Sequence, residues 1–469
     1  MDIDRELTEA ERTPLLTKDG AALLQRMLEH ERTPRFTHRC GDRLTAEGLR
    51  RVKDFEKGLR AAKKGWRAGE VPTWVESFAR DCSLNVPLYR RNGTDSNRFL
   101  QLPTVTRADL ATEPWSFVPD HQPLDDLIFY GTSGTSGHPI KVLSHPEVSS
   151  KYLALLKAAL GLHGIDLNGG AQNVSIVLVC AQNYTYTYAS ISSLLGGAGF
   201  LKLNLNPLEW KEPSDREKFL DDMQPEVYSG DPISLYELSK LSLKHRPKAL
   251  VSSAMALSDG WKDELEKHFG CPVIDLYSSN ECRLMAAKVM GGHSIVPHDL
   301  FVEILDENGV QCAEGERGEI TITCPRNPFL PLVRYRTGDY ASLKFTTKAP
   351  LLIGLEGRPP TQFVTTTGTI LNNVDISFML YAHPIAQYKL HQNADRGLSF
   401  SHAGVMADED IRKILLDLFG HGQKLRIDTL KNDADSGKVR QYSSDVKDLD
   451  PRKATRAYQR LEWDPSTKN

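Results

Sequence analysis

Apolar residues near the start of the chain recur with helical spacing. Leu23 and Met27, and later Phe55 and Leu59, lie four positions apart within stretches that are otherwise largely polar. This spacing puts them on one face of a helix, so it predicts helical structure from about residue 22 to residue 67. Many Arg and Lys residues occupy the other face, which is typical of a solvated surface.

Between residues 125 and 277, short apolar segments alternate with segments of helical spacing. The predicted strands are Asp125–Tyr130, Asn173–Cys180, Gly199–Leu203, Glu226–Ser229, Ala249–Ser252 and Val273–Tyr277. The predicted helices are Pro146–Leu162, Tyr188–Leu195, Ser214–Met223, Pro232–Leu243 and Asp259–Phe269. Strands and helices that alternate in this way are typical of a parallel sheet covered by helices.

The pattern changes twice more towards the C-terminus. From about His298 to Phe345, short strands separated by turns predict antiparallel β structure. Beyond Gly357 the chain is more polar, with a predicted helix at Glu409–Leu418 and a strand at Leu425–Leu430. We therefore predict a mixed α/β and α+β fold. The predicted domains are a helical N-terminal extension (1–70), a large α/β domain with a β subdomain (71–357), and a small C-terminal α+β lid with a charged tail (358–469).

Composition narrows the class of protein. The 469 residues include 58 basic and 61 acidic side chains, a formal net charge of −3, so no overall positive field is available to hold nucleic acid. The seven cysteines are scattered and odd in number, which favours reduced thiols, and the polar first residues lack a signal-peptide pattern. The longest uncharged stretch, Leu167–Leu201, is interrupted by polar residues too often for a membrane span. These features predict a cytoplasmic protein without a nucleic-acid or membrane partner.

A glycine-rich turn follows the first predicted strand. Residues Gly131–Lys141, GTSGTSGHPIK, combine three glycines, four hydroxyl residues and a lysine. Glycine lets backbone N–H groups approach phosphate oxygens, hydroxyls add donors and the lysine adds a positive charge, so the composition suits a polyphosphate. The turn is not a Walker loop, because Lys141 follows the last glycine by four residues. The alternative is a flexible surface loop.

Five segments in order resemble the signature of the adenylate-forming enzymes, the superfamily of acyl-CoA ligases, peptide-synthetase adenylation domains and luciferases. They are the glycine-rich turn, DLYSSNE (Asp275–Glu281), RGEITIT with PLVRYRTGD (Arg317–Thr323 and Pro331–Asp339), LEGR (Leu355–Arg358) and SGKVR (Ser436–Arg440). Within the superfamily, the chain is most similar to the phenylacetate-CoA ligase group. That likeness adds LNVPLYRR near Tyr89, Phe99–Leu110 and Gly291–Ile304, and extends over roughly residues 71 to 445.

The resemblance assigns roles residue by residue. It implies that the triphosphate is cradled by Thr132, Ser133, Gly134, Thr135, Ser136, Gly137 and Lys141. It implies a nucleotide site that also includes Asp275 near the adenine amino group, Leu276, Tyr277 against the adenine, Ser278, Asn280, Asp339 on the ribose hydroxyls and Arg358 on ribose or phosphate. Glu281 would bind Mg²⁺, and Lys438 would reach the α-phosphate. Lys438, Glu281 and Lys141 are the expected catalytic residues, because charge builds up at phosphorus in the reaction.

The acyl pocket is expected around the uncharged run Gln182–Ser190. Tyr184, Tyr186 and Tyr188 alternate there, and Ala254 is expected at the same pocket. If the tyrosines border the pocket, hydroxyl-bearing rings favour a planar, partly polar acid over an alkyl chain. The alternative is that they are ordinary strand residues.

Three departures from the family pattern affect function. Asn280 stands where the family usually has a small hydroxyl residue, and Ser253–Ala256 replaces a Gly-Ala-Glu-Pro sequence. Pro359 and Pro360 stand at the hinge, where an acidic or lysine residue is usual, and proline fixes φ and restricts its predecessor. In the family, the C-terminal lid rotates about this hinge between adenylation and transfer. If residues next to the prolines allow that rotation, we expect efficient transfer to coenzyme A. If they do not, we expect a smaller nucleophile as the acceptor.

The resemblance implies ATP- and Mg²⁺-dependent activation of a carboxylic acid, expected to be aromatic, to an acyl-adenylate, followed by transfer to coenzyme A. The alternatives are transfer to an amine or a carrier protein, or activation of another oxyanion such as nitrite. The non-enzymatic alternative is a regulatory protein that still binds a nucleotide but has lost catalytic activity. The retention of Lys141, Glu281, Asp339 and Lys438 argues against it.

Replacing Lys438 tests the catalytic assignment. In Lys438→Ala we expect acyl-adenylate formation to slow by orders of magnitude while ATP binding persists, because the lysine stabilises charge that develops only in the transition state. Pyrophosphate release and ATP affinity, measured on the same preparation, check this. Normal pyrophosphate release in the variant would remove Lys438 from the mechanism.

Overall fold

The computed structural model describes residues 7–61, 65–91, 99–131, 140–181, 185–357, 361–372, 376, 379–380, 383–430 and 441–446. These residues form two compact units. The first comprises the described parts of residues 1–256 and 265–358, and the second those of residues 257–264, 359–433 and 438–469. Each unit has its own hydrophobic core. The mixed α/β and α+β class is confirmed, whereas the mobility of the small C-terminal unit stays a prediction.

Helices flank the sheets of both units. They are α1 (Glu9–Arg12), α2 (Lys18–Glu29), α3 (Ala46–Ala61), α4 (Thr73–Asn85), α5 (Pro87–Arg91), α6 (Arg107–Thr112), α7 (Pro146–Gly161), α8 (Asp215–Met223), α9 (Pro232–Ser239), α10 (Asp259–Phe269) and α11 (Asp408–Phe419). Short 3₁₀ turns lie at Phe99–Gln101, Pro114–Phe117 and Pro207–Glu209. Several helices begin at polar caps. For example, Asp231 accepts the backbone N–H of Ser234 at the start of α9.

A twelve-stranded sheet organises the first unit. Its strands are β3 (Val174–Cys180), β4 (Tyr188–Ser192), β5 (Ala198–Asn204), β6 (Val227–Gly230), β7 (Ala249–Ser252), β8 (Val273–Ser279), β9 (Arg283–Val289), β10 (Gly292–Ile295), β11 (Phe301–Leu305), β12 (Arg317–Cys324), β13 (Leu332–Lys344) and β14 (Leu351–Gly357). Their order is β11-β12-β13-β14-β10-β9-β8-β7-β6-β3-β5-β4. Strands β5, β3, β6, β7 and β8 are parallel neighbours, and β8 turns back antiparallel into β9. The sheet therefore changes from parallel to antiparallel at the end of β8.

The parallel strands are apolar along their length because both sheet faces are covered. β3 reads VSIVLVC and is buried along almost its whole length. On β8, Leu276 and Tyr277 enter two different core clusters, as neighbouring strand residues do. A separate hairpin of β1 (Ile128–Gly131) and β2 (Lys141–Ser144) pairs Gly131 with Lys141, so the two ends of the glycine-rich turn are adjacent.

The second unit is a small α+β structure. Its strands are β15 (Gln362–Val364), β16 (Ile370–Asn372), β17 (Ile385–Gln392), β18 (Leu398–Gly404), β19 (Leu425–Thr429) and β20 (Tyr442–Ser444). The last four form a sheet in the order β19-β18-β17-β20. Phe363, Tyr388, Phe400 and Phe419 are buried in the core beside α11.

Two predicted segments differ from the structure. Tyr188–Leu195 was predicted as a helix, but Tyr188–Ser192 forms β4, which runs antiparallel along β5. This prediction was wrong because the segment is short and its aromatic and β-branched residues pair with the exposed edge of β5. The helical pattern over 22–67 is interrupted by irregular structure between α2 and α3, where Pro34 lies. Within the described residues, no helix has the length and apolar character needed to cross a bilayer.

A fully buried ion pair lies within the antiparallel strands. The Arg334 guanidinium, on β13, donates from Nη2 to Glu303 Oε1 on β11 at 3.0 Å and from Nε to Oε2 at 3.2 Å. Its third nitrogen donates to the carbonyls of Leu100 and Leu102. The two side chains are 4% and 0% exposed, and burial raises the pKa of Glu303. Arg334 also adopts φ +48°. Because its guanidinium is buried and paired with Glu303, this arginine of the PLVRYRTGD motif stabilises the core.

Breaking this pair should destabilise the first unit more than removing it. We expect Arg334→Met to lower the free energy of unfolding by about 3–5 kcal/mol, because the Glu303 charge is left buried and uncompensated. Glu303→Leu combined with Arg334→Met should recover most of that loss. Urea unfolding of the three proteins measures both values, and equal losses in the single and double variants would contradict the reasoning.

Candidate functional site

The turn between β8 and β9 carries two charged residues where the parallel strands end. Ser279 Oγ accepts the backbone N–H of Cys282 at 3.2 Å, which tightens the turn, and Arg283 adopts φ +64°. Arg326, 3% exposed, donates to the carbonyls of Cys282 and Leu284. These hydrogen bonds hold the backbone of the turn. The side chains of Glu281 and Arg283 make different contacts.

Glu281 lies at this turn and is only 5% exposed. Its Oε1 accepts from Arg107 Nη1 at 2.8 Å and from Tyr335 Oη at 3.3 Å. Burial, and then the Glu281 charge, raise the pKa of Tyr335 well above its ordinary value, so this hydroxyl stays a donor. Among the described residues no donor contacts Oε2, so one carboxylate oxygen is available to a cation.

The chemistry of this carboxylate fits Mg²⁺ better than a structural metal. No group of three or more His, Cys, Asp or Glu side chains converges on a metal position in the part of the chain that the structure describes. Mg²⁺ is commonly bound by one or two carboxylates together with substrate phosphates and water. A lone buried carboxylate with one open oxygen therefore fits Mg²⁺ that arrives with a polyphosphate.

Tyr277 and Asp339 come together across the sheet. Tyr277 Oη, on β8, donates to Asp339 Oδ2, on β13, at 2.8 Å. Four strand steps separate β8 from β13, which would be about 19 Å in a flat sheet at about 4.8 Å a step. The sheet is therefore strongly curled, and the predicted adenine and ribose residues face one another. Burial, and then the Asp339 charge, raise the pKa of Tyr277 well above its ordinary value.

Asp275 has a partner that the sequence reasoning did not assign to the site. Its Oδ2 lies 3.1 Å from Nε2 of His293, on β10, and both side chains are largely buried. The pair links β8 to β10, and β9 lies between these two strands in the sheet. Neither spacing nor composition signals it, because the contact depends on how the hairpins stack.

The other predicted nucleotide residues fall into three groups. Leu276 is buried in the core, Ser278 is partly exposed, and Asn280 is exposed at the β8–β9 turn. Lys141 is exposed at the base of the glycine-rich turn. The predicted residues that lie outside the described part of the chain are Thr132, Ser133, Gly134, Thr135, Ser136, Gly137, Tyr184, Arg358 and Lys438.

The described tyrosines of the predicted acyl pocket form an aromatic stack. Tyr186 and Tyr188 stack with ring centroids 6.1 Å apart, and Tyr188 stacks on Phe200 at the same separation. Lys202 Nζ lies 3.3 Å from the centre of the Tyr186 ring. Ala254, after β7, is exposed and adopts φ +71°, a strained conformation for a residue with a Cβ. The sequence reasoning missed Lys202, Arg283, His293 and Arg107.

Comparisons with known proteins show which proteins the chain resembles. No family model matches the chain. The chain is 24% identical over 289 residues to phenylacetate-coenzyme A ligase of Escherichia coli (strain K12), a match covering 55% of this chain and 63% of that protein. It is also 24% identical over 263 residues to Protein CapK of Staphylococcus aureus, covering 52% of this chain and 54% of that protein. The matches thus span less than two thirds of these curated relatives.

A solved structure shares the fold. It is the crystal structure of 2-hydroxyisobutyryl-CoA ligase in the postadenylation state in complex with 2-HIB-AMP, with a TM-score of 0.59 and 18% identity. The alignment covers 82% of this chain and 91% of the other. The chain therefore has the fold of an adenylate-forming ligase, and its resemblance to the phenylacetate-CoA ligase group is confirmed.

The Tyr277–Asp339 hydrogen bond should show energetic coupling and a pH signature. A double-mutant cycle of Tyr277→Phe and Asp339→Asn should give a coupling of about 1–2 kcal/mol in the free energy of unfolding. Because folding raises the pKa of Tyr277, the phenol's contribution is complete below the ordinary tyrosine pKa of about 10 and is lost as the pH rises above it. Wild type should therefore lose stability more steeply than Tyr277→Phe in alkaline solution. Additive single variants with parallel pH profiles would contradict this.

Proposed function

We propose that this chain is an AMP-forming acid ligase. It activates a carboxylic acid, expected to be aromatic, with ATP to form an acyl-adenylate and pyrophosphate, and then transfers the acyl group to coenzyme A. The observation that carries the proposal is the hydrogen bond between Tyr277 and Asp339, two residues of separate motifs, with Asp275 on the same strand as Tyr277 and Glu281 in the turn that follows it. Similarity to phenylacetate-coenzyme A ligase supports the reaction type.

The nucleotide is proposed to bind between β8 and β13. Asp339 accepts hydrogen bonds from the ribose hydroxyls, and the Tyr277 hydroxyl, 2.8 Å away, holds that carboxylate in place. The Tyr277 ring lies against the adenine. Asp275, oriented by its contact with His293, accepts from the adenine amino group. Leu276 supports this wall from the core, and Ser278 and Asn280 border it.

The phosphates are proposed to lie on the Glu281 side of the turn. Glu281 would hold Mg²⁺, which would neutralise phosphate charge. Arg107 and Tyr335 hold the other carboxylate oxygen and so orient the group. Thr132, Ser133, Gly134, Thr135, Ser136, Gly137 and Lys141 cradle the triphosphate, and Lys438 and Arg358 act on the α-phosphate and ribose. These contacts stabilise charge at phosphorus without a covalent intermediate on the protein.

The acyl group is proposed to lie along the tyrosine stack. Tyr186 is 47% exposed, so its ring can contact a ligand, and Tyr188 and Phe200 extend the flat surface behind it. Stacked rings favour a planar acid. Tyr184 and Ala254 complete the proposed pocket.

The test is pyrophosphate release with a panel of aryl acids, with and without coenzyme A. We expect acid-dependent release, followed by loss of acyl-adenylate and appearance of a thioester when coenzyme A is added. Persistence of the acyl-adenylate in coenzyme A would instead point to an amine or a carrier protein as acceptor. No release with any acid would refute acid activation.

Asp339→Ala tests the nucleotide position. ATP binding should weaken by about 1.5–3 kcal/mol, the range for hydrogen bonds to a charged group. Asp263→Ala, an exposed aspartate on α10, is the matched control and should leave the ATP dissociation constant unchanged. An unchanged constant in Asp339→Ala would move the nucleotide elsewhere.

A further inference from the structure

Arg283 is an arginine with buried donors and, within the described part of the chain, no anionic partner. Its Nε and Nη2 atoms are inaccessible to solvent and have no hydrogen-bond partner among the described residues. Three other arginines of the same region each meet a carboxylate. Arg107 pairs with Glu281, Arg326 with Asp299, and Arg334 with Glu303.

Leaving these donors unpaired is costly. A buried hydrogen-bonding group without a partner loses the free energy of its hydration, and the loss is greater for a charged group. The Arg283 backbone is also strained, at φ +64°, in the turn that sets the direction of its side chain. Unpaired buried donors together with backbone strain are typical of a ligand site.

The Arg283 side chain points to the tyrosine side of the turn. Its Cζ lies 4.1 Å from the centre of the Tyr130 ring, and Tyr130 Oη is 2.6 Å from Ser149 Oγ on α7. Burial raises the pKa values of Tyr152 and Tyr186, and the Arg283 charge opposes both rises. Glu281, two residues earlier, contacts Arg107 and Tyr335 instead. Arg283 therefore lies beside Tyr130, which precedes the glycine-rich turn, and close enough to Tyr186 of the proposed acyl pocket for its charge to act there, whereas Glu281 contacts other residues.

A second cation lies against Tyr186, a neighbouring tyrosine of the proposed acyl pocket. Lys202, on β5, is 8% exposed, forms no ion pair with a carboxylate in the described part of the chain, and lies against the Tyr186 ring. Burial lowers its pKa. The proposed pocket thus has two basic groups and no carboxylate that neutralises either of them among the described residues.

We propose that the acid activated by this chain carries a second anionic group, which Arg283 binds. The inference rests on the proposed function and specifies its substrate class as a dicarboxylic acid or a similarly charged acid. The carboxylate that reacts is not the expected partner, because it loses its charge on adenylation. An arginine that held it would stabilise the ground state more than the transition state. A second anion keeps its charge throughout the reaction.

The experiment compares acids with their neutral isosteres. The two pairs are 4-carboxyphenylacetate with 4-carbamoylphenylacetate, and glutarate with glutaramate. Pyrophosphate release gives kcat/KM, and equilibrium dialysis of the diacids measures binding without turnover. The variants are Arg283→Met, which keeps length without charge, and Arg283→Lys, which keeps charge. Arg246→Met is the control because Arg246 is exposed and donates to the carbonyl of His268, away from the proposed site residues.

Wild type and Arg246→Met should prefer at least one diacid over its amide by about 10- to 100-fold in kcat/KM, the range for a charged hydrogen bond. Arg283→Met should reduce that ratio to near one, and Arg283→Lys should restore part of it. An unchanged ratio in Arg283→Met, or equal use of diacid and amide by wild type, overturns the inference while leaving acid activation intact.

The dialysis separates the two proposals. If no acid releases pyrophosphate but a diacid binds wild type and not Arg283→Met, the proposed function fails and the anion site stands. If neither diacid binds wild type, the anion site is refuted. Circular dichroism of Arg283→Met establishes that the variant is folded.

Discussion

The buried guanidinium of Arg326 fixes the geometry on which the candidate site depends. It donates to two carbonyls of the β8–β9 connection and to both oxygens of Asp299. A buried arginine is tolerable only when its donors are satisfied, and here that requirement locks the backbone of the turn. Because Arg326 holds the backbone of this turn, the side chains of Glu281 and Arg283 can point in different directions while the backbone stays fixed.

Electrostatic pairing divides the region into two environments. On one side, Glu281 is held by Arg107 and Tyr335, and Asp339 by Tyr277. There the protein supplies oriented carboxylates, which suit a cation and the hydroxyls of a sugar. On the tyrosine side it supplies the positive charges of Arg283 and Lys202, which meet no carboxylate among the residues that the structure describes. The proposed reaction joins a carboxylate to a phosphate, and two neighbouring environments of this kind would hold these two mutually repelling anions in place.

The sequence predicts the parallel layer well, because the apolar strands and amphipathic helices are each recognisable from the spacing of apolar residues within a short segment. It also identifies Tyr277 and Asp339, because motif order places them in a known scheme. Their contact was not predictable from strand order alone. It depends on the curl of the sheet, a property of all the intervening strands. The wrong helix at Tyr188–Leu195 has a related cause, because pairing with β5 overrides local spacing there.

The residues missed by sequence reasoning are defined by their partners. His293 matters through Asp275, and Arg107 through Glu281. Arg283 was missed for the opposite reason, since burial without a partner can be recognised only in three dimensions. Motif membership can also mislead. Arg334 and Arg336 stand in the most diagnostic segment, yet they bind Glu303 and Glu319 within the sheet.

The curl that joins β8 to β13 also has a consequence for how the protein folds. The Tyr277–Asp339 contact links residues 62 positions apart in sequence, and four strand steps must form before it closes. The loop-closure entropy of such a non-local contact must be offset before the contact contributes to stability, which slows folding. On the growing chain, the strands up to β8 can associate while Asp339 is still unmade. The proposed nucleotide site should therefore be absent from folding intermediates in which the strands between β8 and β13 have not yet paired.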